Sequence, residues 1–263
     1  MRAISLCLHD VLDIERIKPG DVYTLKVSDY GEHLRAIKNR QASVQTIGWR
    51  SRWEEPVPVF LTFDDGTAGA YTFAARGLKE HGWRGHFFIT TDWIGREGYM
   101  DRSQIRDLHN RGHIIGSHTC SHPERMSHLR PQDLMREWKD SCEILSAIVQ
   151  CPIKTASVAG GFYSQAVAQA AASAGIEVLF NSEPTSSTTV VDGCLVLGRY
   201  SIQSFTPPST SAAIAAGDNW ARWKQSVLWD TKRILKAIGG DSYVTLRRRL
   251  LSRVMSRNAA VRN

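Results

Sequence analysis

The stretch VPVFLTFDDGTAGAYTFAARGLKEHGWRGHFFIT, residues 57–90, carries the fold class in its rhythm. Its first seven residues, 57–63, form a β-rich apolar run that stops at Asp64-Asp65-Gly66. Residues 70–82 then space apolar side chains as a helix does, up to Gly82, and 85–90 return to a short apolar run. Strand, helix and strand in this order predict parallel strands joined by a crossover helix. The pattern continues downstream. A helix is expected over 100–112, a strand over 113–118, and the longest helix over 130–150, with Leu134, Trp138, Cys142, Leu145 and Val149 on one face. Strand candidates at 153–161 and 176–182 flank an Ala-rich helix at 164–175. The fold class expected is α/β.

In such folds functional side chains collect where strands end. Asp64 and Asp65 follow strand 57–63, and His118 closes strand 113–118. Alone, TFDDG (62–66) reads as a strand-to-helix connection with one aspartate capping the helix. GSHTCSH (116–122) narrows the choice. His118 and His122, four apart, can face one ion from a single turn. Cys120, two residues from each, falls on about the opposite face and is expected to pack beneath the site. Two histidines leave a metal short of a protein ligand. Of the other histidines, His86 reads as a packed strand residue and His113 as one pointing away from the site.

Composition sets outer limits. With 263 residues the chain suits one large domain or two small ones. Its apolar runs fall far below the roughly 18 residues of a membrane span. MRAISLCLHDVLD, residues 1–13, reads as a first buried strand broken by His9 and Asp10, not as a secretory signal. Five unclustered cysteines, an odd count, argue against a disulfide framework and for a reducing compartment. A cytoplasmic location is expected, peripheral on the inner face of a membrane if the tail binds there.

The net charge of +7 is unevenly placed. Residues 219–263 hold eleven Lys/Arg against two Asp/Glu, whereas the remaining chain holds 22 against 24. A near-neutral body argues against nucleic-acid binding by the main domain. The small, polar, Pro-containing stretch after residue 203 reads as a linker, which divides the chain into 1–203, 204–218 and 219–263. The last segment opens with NWARWKQSVLWDTKRILKAIGG (219–240), which sets Trp220, Trp223, Val227, Ile234 and Ile238 at helical spacing among basic residues. Two readings stand: amphipathic helices packed on the body, or a Trp-anchored cationic surface that meets anionic lipid or membrane-bound synthesis machinery.

TFDDG together with SHTCSHP resembles the polysaccharide deacetylase family, whose fold is a distorted (β/α) barrel, the NodB homology domain. The resemblance runs from about residue 57 to 150 and more loosely to about 203, and LCLHDV (6–11) is similar to the family's first strand. It implies one divalent metal ion held by Asp65, His118 and His122. Zinc is the first expectation, and such a ligand set also accepts cobalt, nickel or iron. It implies Asp64 as the catalytic base that takes the proton of the attacking water. The implied activity is hydrolytic removal of N-acetyl groups from an amino-sugar glycan, whether a polysaccharide or a lipid- or nucleotide-linked precursor.

Two family motifs are altered. The Arg-x-Pro motif corresponds to SVAGGFYS (157–164), which has neither the arginine nor the proline. Gly160 and Gly161 still permit close backbone approach, an amide near Phe162 is a candidate oxyanion donor, and Tyr163 completes a substrate-binding set. The later Leu-x-His corresponds to CLVLGRYSI (194–202), which has no histidine. Arg199 stands there as a charge-stabilising substrate contact, with a pKa too high for a proton donor. Glu183, on a loop after a strand, is a further cleft candidate. His9 is the candidate general acid, and equally reads as a hydrogen-bonded strand-end residue. Otherwise water protonates the leaving amine, or catalysis is weak. Two other functions therefore stay open: a non-catalytic carbohydrate-binding or scaffold subunit of a glycan-synthesis complex, and a hydrolase of another C–N bond such as a formamide.

Overall fold

The strand expected at 57–63 is Pro58–Phe63, and all six of its residues are buried. Burial on both faces is what a parallel strand between two packed layers requires. In a computed structural model, which describes residues 1–48, 53 and 56–231, it lies inside a ten-stranded sheet.

The first elements are β1 (Ile4–Leu8), β2 (Asp10–Leu12), β3 (Thr24–Lys26), α1 (Val27–Asn39), β4 (Ser43–Val44) and β5 (Pro58–Phe63). A π-helical turn at Ala70–Ala74 leads into α2 (Ala75–Glu80) and then β6 (His86–Ile89), α3 (Arg102–Asn110), β7 (Ile114–Ser117) and α4 (Pro131–Val149). The chain continues through β8 (Thr155–Ser157), α5 (Gln165–Ser173), β9 (Val178–Phe180), β10 (Thr188–Val191), β11 (Cys194–Leu197), β12 (Tyr200–Ser201) and α6 (Pro208–Ala215). The strand order is β10-β11-β9-β8-β7-β6-β5-β1-β12, with β4 also on β5. Every neighbouring pair in this sheet is parallel except β10 with β11.

Local chemistry explains the helix limits. Asp101 and Gln104 form a capping box at the start of α3, which satisfies two otherwise orphaned backbone donors. Pro131 opens α4, where its missing N–H costs nothing. The apolar face predicted for α4 is buried, with Ser141 and Ile148 added to it.

The sheet curls until its ends meet, giving the distorted barrel. β11 and β12 lie near opposite ends of the strand order yet are separated in sequence only by Gly198 and Arg199. An isolated bridge joins Arg2 to Ser187, and Ala3 N–H donates to Ser186 O at 3.1 Å. Side chains two apart on a strand share a face. Phe60, Phe88, Phe180 and Leu197 accordingly form a small cluster of their own, separate from the larger core of Val59, Leu61, Phe63 and the helix faces. Thr62 on β5, and Asp64 just past its end, continue the face that Phe60 begins.

Residues 204–218, expected as a linker, form no linker. They carry α6, in which Ser211, Ala212, Ile214 and Ala215 are buried. Ser211 Oγ lies 2.7 Å from His33 Nδ1 on α1. The small residues that suggested a linker are those that let two helices approach closely. The body thus extends past residue 203, and helix 219–231 follows almost at once. Ile234, Ile238 and the basic stretch beyond lie outside the described residues.

Candidate active site

Parallel pairing brings the expected residues to one end of the barrel. Leu8 of β1 is level with Phe63 of β5, and Asp64 N–H donates to Leu8 O at 3.0 Å. Ile89 is level with Ser117, and His118 N–H donates to Ile89 O at 2.9 Å. Just past these strand ends the backbone turns left-handed at three non-glycine residues, Asp65, Thr119 and His122, with φ of 73°, 67° and 57°. Such conformations cost about 1–3 kcal/mol each and concentrate at functional sites.

Asp65 Oδ1 stands 3.4 Å from His118 Nε2 and 3.6 Å from His122 Nε2. One carboxylate oxygen and two imidazole nitrogens within 4.8 Å of one another are a donor set that fits a divalent transition ion and leaves positions for water and substrate. The surroundings suit that role. His118 Nδ1 lies 2.6 Å from Ser157 Oγ and 3.1 Å from Ser157 O. A proton on Nδ1 satisfies both, so the Nε2 lone pair faces Asp65. The His122 ring stacks on Trp93 at 5.0 Å, and His122 N–H donates to Thr119 Oγ1 at 3.1 Å. Glu137 of α4 holds the intervening loop: Oε2 accepts from Cys120 N at 2.8 Å and Ser121 N at 3.0 Å, and Oε1 accepts from Ser121 Oγ at 2.6 Å.

Asp64 sits beside this set in a different environment. It is 3% exposed, and Arg199, 1% exposed, grips it with both ends of the guanidinium. Nη1 donates to Oδ1 at 2.7 Å and Nη2 to Oδ2 at 2.8 Å. Ser157 Oγ adds a bond to Oδ1 at 3.1 Å and Cys7 Sγ one to Oδ2 at 3.6 Å. Burial by itself would raise the pKa of this carboxyl, but the Arg199 charge and hydrogen bonds, with His118, hold it well below the carboxylate range. The expectation that Arg199 contacts substrate is thereby corrected. Its Nε–H donates to Asn181 O at 2.9 Å and Nη1 also reaches Thr62 Oγ1 at 3.2 Å, so the group is directed at Asp64 and its own scaffold.

His9 does reach the site. A ring nitrogen of His9, the Cys7 sulfur and an Asp64 oxygen lie within 4.8 Å of one another. The ring packs on Tyr23 at 4.4 Å, and its Nδ1 is buried with no hydrogen-bond partner among the described residues. Burial lowers its pKa against the opposing pull of Asp65 and Asp64. Cys120 lies outside the converging group, and burial pushes its thiol up to about 11, which leaves it a poor metal ligand or nucleophile.

The glycine pair serves the protein's own packing. Gly160 has φ 66°, and a Cβ there would run into the Glu124 carbonyl oxygen, on the loop that follows His122. The close backbone approach is therefore to this loop, while Gly161, φ 72°, faces Ser182. Phe162 lies under the Arg125 guanidinium at 5.6 Å. Burial, and after it the Glu183 charge, raise the Tyr163 hydroxyl pKa. Glu183 also supports the site through its main chain, since its carbonyl accepts from Arg199 N–H at 2.9 Å. Ser157 and Glu137 were not anticipated. The strand-end rule applied to 155–157 would have found Ser157; no local pattern marks Glu137.

Residues 54–179 match the family model described as polysaccharide deacetylase. The curated Bacillus subtilis protein YxkH, named for the same family, is 28% identical over 130 residues, 49% of this chain and 46% of its own length. The chain thus spans less than half of that relative. Among solved structures, the Streptococcus pyogenes deacetylase PplD in complex with acetate superimposes with a TM-score of 0.69 at 18% identity, covering 79% of this chain and 95% of that one. A polysaccharide deacetylase from Bacillus cereus gives 0.70 at 20% identity, covering 82% and 69%. At these identities the two structures speak for the fold.

Proposed function

We propose that this chain, which belongs to the polysaccharide deacetylase family through residues 54–179, is a metal-dependent hydrolase that removes N-acetyl groups from an amino-sugar glycan. The supporting observation is the convergence of Asp65, His118 and His122 beside the buried, clamped carboxylate of Asp64. An ion bound by the three ligands supplies positive charge that polarises an acetamide carbonyl and acidifies water. The protein's own groups do the rest. Ser157 orients the His118 ring, Arg199 keeps Asp64 ionised, and Asp64 accepts the proton of the attacking water. His9, whose Nδ1 has no hydrogen-bond partner among the described residues, is the candidate to hand a proton to the leaving amine.

The test is acetate release from N-acetylated glycans, polymeric and lipid- or nucleotide-linked, by protein loaded in turn with zinc, cobalt, nickel and iron. Loss of release in Asp64→Asn with the metal retained supports the reading. No acetate from any substrate in a metal-loaded protein removes it, and release from formyl but not acetyl substrates assigns another C–N hydrolase. One observation favours a second reading, a weakly active or glycan-binding subunit: both Asp64 oxygens already accept two donors each, which makes the carboxylate a weak base. That reading expects glycan binding that survives Asp64→Asn.

A further inference from the structure

Helix 219–231 is docked in reverse of an ordinary amphipathic helix. Its polar side faces the barrel. Arg222, 9% exposed, donates from Nη1 to Ser186 Oγ at 2.7 Å and from Nη2 to Gly217 O at 3.1 Å. Gln225 Nε2 donates to Ser201 O at 2.8 Å and Ser226 Oγ to Pro184 O at 2.7 Å. Ser186 and Pro184 lie on the loop before β10 and Ser201 on β12, so the helix covers the place where the curled sheet closes.

The opposite side is apolar and turned outward. Trp220 is 63% exposed, Trp223 53%, Val227 41% and Leu228 59%. Positions i, i+3, i+7 and i+8 form one stripe on a helix. The two indoles stack on each other at 4.9 Å, and Lys224 Nζ lies 6.0 Å over the Trp220 ring. Apolar helix faces normally drive docking, and here hydrogen bonds hold the helix while its large aromatics meet solvent. A contiguous exposed apolar stripe of this kind marks an interaction surface.

Charge decides between occupants. From residue 219 onward the sequence carries eleven Lys/Arg against two Asp/Glu, while the body is close to neutral. Nine of those eleven follow residue 231 in the sequence, so a second copy of this chain would bring a second excess of positive charge. Tryptophans at an interface with water, flanked by cations, are what an anionic lipid headgroup layer accepts. We propose that the Trp220–Trp223–Val227–Leu228 stripe is the surface by which this protein lies on an anionic membrane. The same helix holds Pro184 and Ser186, on the loop whose Glu183 carbonyl accepts from Arg199. Membrane contact therefore sits one loop away from the carboxylate clamp.

The experiment uses the full chain and vesicles of mixed phosphatidylglycerol and phosphatidylcholine, with pure phosphatidylcholine as the reference. Co-sedimentation with the anionic vesicles is expected, together with a blue shift of tryptophan emission and weakening by salt. Trp220→Ser/Trp223→Ser should lower partitioning by about tenfold or more, and Val227→Asp should lower it independently. All three side chains are exposed, so far-UV circular dichroism and thermal unfolding should match the parent. The proposal is overturned if the parent stays in the supernatant, or if both variants bind like it. It is equally overturned if the stripe instead joins two copies, seen as a dimer that the variants split and that ignores vesicles. Binding is read without acetate release, so this outcome is separate from that of the proposed activity.

Discussion

Arg199 holds both carboxylate oxygens of Asp64 in parallel hydrogen bonds of 2.7 and 2.8 Å, across a separation of 135 residues. Neither residue is exposed enough for water to replace the other. Removing one partner of a buried pair costs about 3–5 kcal/mol, because the remaining charge is stranded. Arg199→Ala should therefore lower folding stability by about that amount, read from urea unfolding. Arg199→Lys keeps the charge but loses the planar two-point grip, and should fold better than the alanine variant while turning over substrate about tenfold or more slowly. A lysine variant as active as the parent would show that the geometry of the clamp is unimportant.

The three candidate metal ligands separate cleanly from the cysteine between the two histidines. Asp65→Ala, His118→Ala and His122→Ala should each abolish tight metal binding, whereas Cys120→Ser should bind like the parent. Metal analysis after dialysis decides it. Metal lost in Cys120→Ser and kept in Asp65→Ala would reverse the assignment.

Glu137 gives a subtler expectation. Its carboxylate receives two backbone N–H groups and one hydroxyl from the loop between the histidines. Charge-assisted bonds of this type contribute about 1.5–3 kcal/mol each. Glu137→Gln removes the charge but keeps one acceptor, and should weaken metal affinity by about tenfold. Titration calorimetry with zinc would measure it, and an unchanged affinity would mean the loop is held by Thr119 and Trp93 alone.

Acid should destabilise the fold through two histidines far from the metal set. His86 Nε2 accepts from Ile47 N–H at 3.1 Å and His113 Nδ1 accepts from Gly85 N–H at 3.1 Å, so both must be neutral. Burial lowers the pKa of each to about 4, against about 6.5 in an unfolded chain. Between those values the unfolded state binds protons that the folded state refuses, so stability rises with pH there. Their contribution is complete above about pH 6.5 and is lost as pH falls toward about 4. Urea melts across this window should show the decline, and a flat profile would contradict it.

What the sequence disclosed follows from how far apart its partners lie. Strand–helix alternation is local, and so are Asp64-Asp65 at a strand end and His118 with His122 on one turn. The family resemblance then connected the two motifs. Arg199 was noticed but assigned to substrate, because its partner depends on where the curled sheet closes, which no local pattern encodes. Ser157 ends β8, where the strand-end rule marks it, but its bond to Asp64, 93 residues away, is not written in any local pattern. α6 was misread because alanine and serine suit a linker and a tight helix pair equally well. The stripe on helix 219–231 was visible as periodicity, but not the direction it faces: that depends on Arg222, Gln225 and Ser226 finding acceptors on the barrel.

The arginine that sets the charge of Asp64 occupies the two-residue gap between β11 and β12, beside a glycine whose Cβ would collide with the Glu183 carbonyl. It also lies beyond residue 179, where the family match ends. A fragment trimmed to that match would keep all three candidate metal ligands and lose the counter-charge of the carboxylate beside them. Such a fragment could be metal-loaded and still chemically mute. Metal content alone is therefore no measure of a competent molecule, and competence has to be assayed on a chain whose barrel has closed.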